Sequence, residues 1–228
     1  MGIRMRWTVA ALLAGAAGCA WPAAGVRAVA GAPLALTSMR LTLSPEAVPA
    51  NGRARTAVLA SVTPALPGIE VHFATSGDSR LAAATATTDS AGRASDVLTA
   101  SYTPGTQTVS VTSDFGSASV TLTQVEVRPV ELVVPAAGID APILGVGVNP
   151  QGAMDAPQGP PGDPVWQRAF WLRTTSVPGF PGTAALSGHL DDHEGRPAAF
   201  WRLAWLRPGD EVVARLSDGD RARFRVTD

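Results

Sequence analysis

The chain has 228 residues, 46% of them hydrophobic, and a formal net charge of −1. That length allows a leader and two ordinary domains, and the charge gives no reason to expect nucleic acid or an anionic membrane surface as partner. All 18 basic residues are arginine and the single cysteine is Cys19, so no intramolecular disulfide supports the fold.

Residues 1–30 read as an export signal. Arg4 and Arg6 give the positive start, and 7–17 is an apolar run of signal-peptide length, short for a membrane span. Two processing routes fit. In one, Ala16-Ala17-Gly18-Cys19 makes Cys19 a lipidation site. In the other, Ala28-Val29-Ala30 is cut by signal peptidase; an uncleaved anchor is the third option. Each places the rest of the chain outside the cytoplasm, at the cell surface or secreted, with membrane contact through the N-terminal segment alone.

Residues 36–125 form the first folded unit. Short runs rich in Val, Thr, Leu and Ala recur at 39–43, 54–62, 69–74, 81–86, 94–98, 107–112 and 118–124, separated by turn signals such as Asn51-Gly52, Ala91-Gly92 and Pro104-Gly105. Seven short strands with little helical periodicity predict an antiparallel β-sandwich. Val71 and Phe73 point one way, so His72 faces the wet side. Pro49-Ala50-Asn51-Gly52, 67–73, 88–94 and 104–109 in this order resemble the bacterial Ig-like domain of the invasin/intimin type. The resemblance implies a stalk, spacer or adhesive module without a catalytic site.

Residues 125–128 link this unit to a second, at 129–228, and a linker so short restricts relative motion. The Pro/Gly-rich stretch 157–164 is a surface loop. Pro197 can open a short helix with Phe200, Leu203 and Ala204 on one face, stopped by Pro208-Gly209, while Trp201 and Trp205 form an adjacent stripe read as core or rim packing. Residues 211–216 and 221–226 flank Asp218-Gly219, a hairpin signal.

The stretch 184–194 (AALSGHLDDHE) is the one that carries chemistry. Ala184 to Leu186 end a strand, Gly188 lets the backbone bend, and His189 emerges into a cluster of carboxylates. His189 reads as a surface or core histidine, as a metal ligand with His193, or as an acid–base group. The glycines at 188 and 195 argue for a loop rather than the helix that would align two ligands four apart.

From residue 129 onward the chain resembles a sortase of the actinobacterial class E/F kind. The residues that carry the likeness are 129–142 (PVELVVPAAGIDAP), 143–154 (ILGVGVNPQGAM), Trp171, 178–182 (PGFPG), 185–191 (ALSGHLD) and 199–211 (AFWRLAWLRPGDE). The fold class expected is therefore all-β, an Ig-like β-sandwich followed by a partial sortase-type β-barrel with a short helix. The resemblance implies a cysteine transpeptidase that cuts a sorting-signal peptide and passes the acyl group to a cell-wall amine, with no cofactor. His189 is its catalytic acid–base residue, and Asp191 either orients it or is a solvated loop carboxylate. The family's nucleophilic cysteine and its arginine have no counterpart in these residues, and Cys19 lies in the leader. The expected chain is thus a sortase domain incomplete at its C-terminus and inactive as it stands. The alternative is a non-catalytic surface adhesin or spacer built on the Ig-like unit.

Overall fold

The computed structural model describes residues 38–227; the segment 1–30 read as a leader, its candidate cleavage sites and Cys19 lie outside them. The first lobe is a sandwich of two sheets. One sheet has the order β1 (Ser38–Ser44), β3 (Arg55–Thr63), β7 (Arg93–Thr99), β5 (Arg80–Leu81). The other has β2 (Ala47–Pro49), β9 (Gly116–Val125), β8 (Gly105–Ser113), β4 (Glu70–Thr75), β6 (Thr85–Thr87). Alternation places Val58, Val71, Phe73, Leu98, Val109, Val111 and Leu122 between the sheets, and turns His72 outward.

Two features depart from the seven predicted strands. The run 81–86 is not one strand: β5 pairs with β7 in the first sheet, and three residues on the chain joins β4 in the second. It crosses between the sheets at their edges. The three-residue β2 was not predicted; it runs parallel to β9, with Ala47 opposite Thr123, a long-range pairing with no local pattern to announce it.

The second lobe is one sheet of six strands, in the order β13 (Leu186–Gly188), β12 (Ala169–Leu172), β11 (Ile139–Val146), β10 (Pro129–Val134), β14 (Glu211–Leu216), β15 (Arg221–Arg225). Only β11 and β12 are parallel, joined by the crossover that contains the 157–164 loop. The sheet curls around Leu132, Val134, Ile139 and Phe200. Its two end strands do not pair, but residues beside both, Leu186 from one and Phe224 from the other, line a single apolar groove of about 610 Å³. The result is an incomplete barrel, as expected. The β14–β15 hairpin turns at Asp218-Gly219, where Gly219 has φ 90°.

The predicted helix shrinks to a 3-10 turn at Leu203–Trp205. Pro197 bridges to Asp191 instead of opening a helix, and Pro208-Gly209 follows too soon for further turns. Phe200 is buried, but Leu203 is exposed, and Trp201 and Trp205 are 46% and 63% exposed, so the tryptophan stripe is surface rather than core.

The linker is held against the second lobe. Val127 in the linker is buried, and Arg128 and Ser217 exchange two hydrogen bonds, of 3.1 Å to the Ser217 Oγ and 2.9 Å to the Arg128 carbonyl.

Candidate functional site

His189 directly follows β13. Its Nε2 lies 2.9 Å from the Pro157 carbonyl oxygen, to which an Nε2–H donates. The neutral ring so held has its free lone pair on Nδ1. Two aromatic rings fix the imidazole plane: Trp166 at 4.6 Å between centroids, and Phe170 edge-on at 5.4 Å. Trp166 is itself held by its Nε1–H on the Pro160 carbonyl, 2.9 Å away. The 157–164 loop therefore supplies the acceptor for the histidine and the anchor for the ring beside it, a role its Pro/Gly composition did not disclose. Backbone bonds complete the frame, from Phe200 N–H to the His189 carbonyl and from Ala199 N–H to the Trp166 carbonyl, both 2.9 Å.

Asp191 is exposed, and its carboxylate is not in the hydrogen bonds of His189, whose orienting partner is Pro157. The carboxylate with a structural task is its neighbour. The Asp192 side chain is buried and accepts from Glu194 N–H (2.9 Å), Arg196 N–H (3.0 Å) and Arg196 Nε (2.8 Å), closing the 192–196 loop. Burial works to raise the Asp192 pKa, but the Arg196 backbone and guanidinium and the Glu194 N–H outweigh it and hold the carboxyl below its usual value. A folded-state pKa below the unfolded one stabilises the loop above the ordinary aspartate range of about 3.9, and this contribution is lost as pH falls through the lower folded value. The protection of the Glu194 and Arg196 amides, taken relative to the intrinsic exchange rate at each pH, is expected to hold at pH 5 and to fall only in stronger acid.

His193 packs edge-on against Trp166, 5.0 Å between centroids, so the two histidines contact one indole. Among the described residues no group of three or more His, Asp or Glu is placed to hold a metal ion.

Gly188 is needed for space rather than for a bend. Its φ is not in the left-handed region, but a Cβ there would stand 2.5 Å from Cδ1 of the buried Phe200 ring. Gly188→Ala is expected to cost about 1–3 kcal/mol in urea unfolding, the usual cost of overpacking. A loss under about 0.5 kcal/mol would show that the ring yields freely.

With this geometry in place, the second lobe can be set beside known families. Residues 132–228 match the family model of the sortase domain. The matched segment contains the strand before His189, both aromatic neighbours and the loop that orients the ring. No curated protein matches the chain. Among solved structures, the D00-D0 domain of intimin is 24% identical with a TM-score of 0.36, covering 40% of this chain and 47% of that one. Invasin, titled a bacterial integrin-binding protein, is 17% identical with a TM-score of 0.39, over 84% and 40% of the two chains. The Yersinia pseudotuberculosis adhesin InvE is 17% identical with a TM-score of 0.37, over 83% and 58%. This chain thus spans less than half the length of the intimin structure. The first lobe is an Ig-like sandwich by its own strand order.

Proposed function

We propose that this is a secreted or surface-attached sortase-family protein in which His189 is the acid–base residue of a transpeptidase-type site. The observation that carries the reading is the His189 ring, held by Pro157 and Trp166 with its lone pair on Nδ1, within the segment that matches the sortase domain. In that family the substrate is a sorting-signal peptide and the acceptor a cell-wall amine. Acyl transfer needs a thiolate within reach of its acid–base partner. The only cysteine of the sequence is Cys19, in the segment read as a leader, so the 228 residues offer proton transfer without the nucleophile. The domains proposed are an export segment at 1–30, with Cys19 a lipidation site or 28–30 a cleavage site, an Ig-like unit at 36–125 and the sortase domain at 129–228.

Binding separates this reading from a plain adhesin or spacer. Titration of a sorting-signal peptide into the ¹⁵N-labelled chain is expected to shift the His189 imidazole signals and neighbouring amides without cleavage. Signals of 129–227 that stay put through millimolar peptide would favour the spacer.

A further inference from the structure

The loop 177–183 has two faces. One lines the apolar groove, where Pro178, Gly179 and Phe180 stand opposite Phe224 and Val226, with Leu186 of β13 close by. The other faces the Ig-like lobe across a small cavity of about 150 Å³ bounded by Asn51, Arg53 and Tyr102. The loop is held within itself by only a few bonds: Ser176 N–H to the Thr183 carbonyl at 3.1 Å, Phe180 N–H to the Val177 carbonyl at 2.9 Å, and Ser176 Oγ–H to the Pro181 carbonyl at 2.8 Å. A loop so lightly tied takes its position from what packs on it.

What packs on it is Tyr102. Its ring sits 4.8 Å from that of Phe180 at a tilt of 59°. The tyrosine is itself placed by the turn beneath it: Gly52, with φ 72°, leaves the space in which a Cβ would come within 2.3 Å of the Tyr102 ring, and its N–H donates to the Ser101 carbonyl at 3.1 Å. Two polar contacts pin the same turn to the β14–β15 hairpin, Asn51 Nδ2–H to Asp218 at 3.0 Å and the Arg53–Asp220 ion pair. Gly179 completes the fit, since a Cβ there would lie 2.8 Å from that of Ala222.

We propose that Tyr102 is a positioning residue for the groove of the sortase domain: through Phe180 the Ig-like lobe sets one wall of that groove and so the bulk of apolar side chain it admits. The Ig-like lobe is then part of the binding unit and not a detachable spacer. The inference stands on the contact between the lobes and uses neither the chemistry of His189 nor the family match, so its failure would leave the proposed function untouched.

The test uses the full chain and two variants. Tyr102 is half exposed, so its truncation leaves both lobes folded, and Tyr102→Phe keeps the ring pair. Hydrogen exchange at 176–183 is expected to accelerate about two- to tenfold in Tyr102→Ala, the range one aromatic pair supports, and to remain at the wild-type rate in Tyr102→Phe. Exchange in β8 and β9 should not change. The groove is read with the apolar fluorophore 1-anilinonaphthalene-8-sulfonate, whose affinity should change at least twofold in Tyr102→Ala and return in Tyr102→Phe. Unchanged exchange would overturn the proposal. Faster exchange with unaltered probe affinity would also overturn it, because the loop would then move without reshaping the groove.

Discussion

Mixed with a sorting-signal peptide and hydroxylamine, the 228-residue chain is expected to release no hydroxamate above the level of its His189→Ala variant. The magnitudes make this an all-or-none expectation. A positioned acid–base group contributes about 10²–10⁴ to a rate, whereas enzymes gain about 10⁶–10¹⁷ over the uncatalysed reaction. The difference must come from the covalent intermediate and from stabilising the charge that develops on the carbonyl, and the first of these needs a nucleophile. No cysteine is present among the described residues, and Cys19 belongs to the segment read as a leader. His189, with Nε2 committed to Pro157, has one nitrogen left to move a proton, and no cysteine among the described residues stands ready to give it one. Mass spectrometry of the peptide after prolonged incubation reads the result. Cleavage that His189→Ala abolishes would mean that another group serves as nucleophile.

Phe170→Ala is expected to destabilise the protein by about 3–5 kcal/mol, the range for deleting a buried aromatic side chain. Phe170 is 0% exposed, lies in β12 between the strand before His189 and β11, and presents its edge to the His189 ring. A loss of that size is a large part of the 5–15 kcal/mol that holds an ordinary domain together. Phe115→Ala, on a side chain 62% exposed in the Ig-like lobe, should change stability by no more than about 0.5 kcal/mol. Urea unfolding followed by tryptophan fluorescence compares the two, since Trp166 reports beside the site. A Phe170→Ala loss below about 1 kcal/mol would mean that the barrel core closes over the vacated space.

The strands of the sandwich were legible because their signal is local. Val71 and Phe73, or Val109 and Val111, alternate against polar neighbours and are bounded by turn residues, and one strand's pattern suffices to place it. What could not be read locally was pairing and partnership. β2 exists because of β9, far along the chain, and the short run at 81–86 splits because two different sheets compete for its ends. At 199–205 the apolar spacing suits a helix, but Pro197 is engaged with Asp191 and the chain has room for only one 3-10 turn. His189 stood out in the sequence because an imidazole leaving an apolar run is conspicuous. Its partner did not, because Pro157 contributes a backbone carbonyl, which every residue has. Adjacent aspartates hid the loop's structural carboxylate for a similar reason: the sequence Asp191-Asp192 does not say which one folds inward to cap Glu194 and Arg196. Nor does any local pattern connect Tyr102 with Phe180, which meet only because the linker lays one lobe against the other.

In the proposed function His189 is an oriented base, with its proton on Nε2 toward the Pro157 carbonyl and the lone pair on Nδ1. The sequence has three histidines, so ¹⁵N NMR of imidazole-labelled protein, assigned with His72→Gln and His193→Gln variants, observes the His189 ring alone. For the neutral ring one tautomer is expected, with a protonated Nε2 in slow exchange, coupled through its hydrogen bond to Pro157, and an unprotonated Nδ1. A proton on Nδ1, or the averaged signals of a free imidazole, would contradict it.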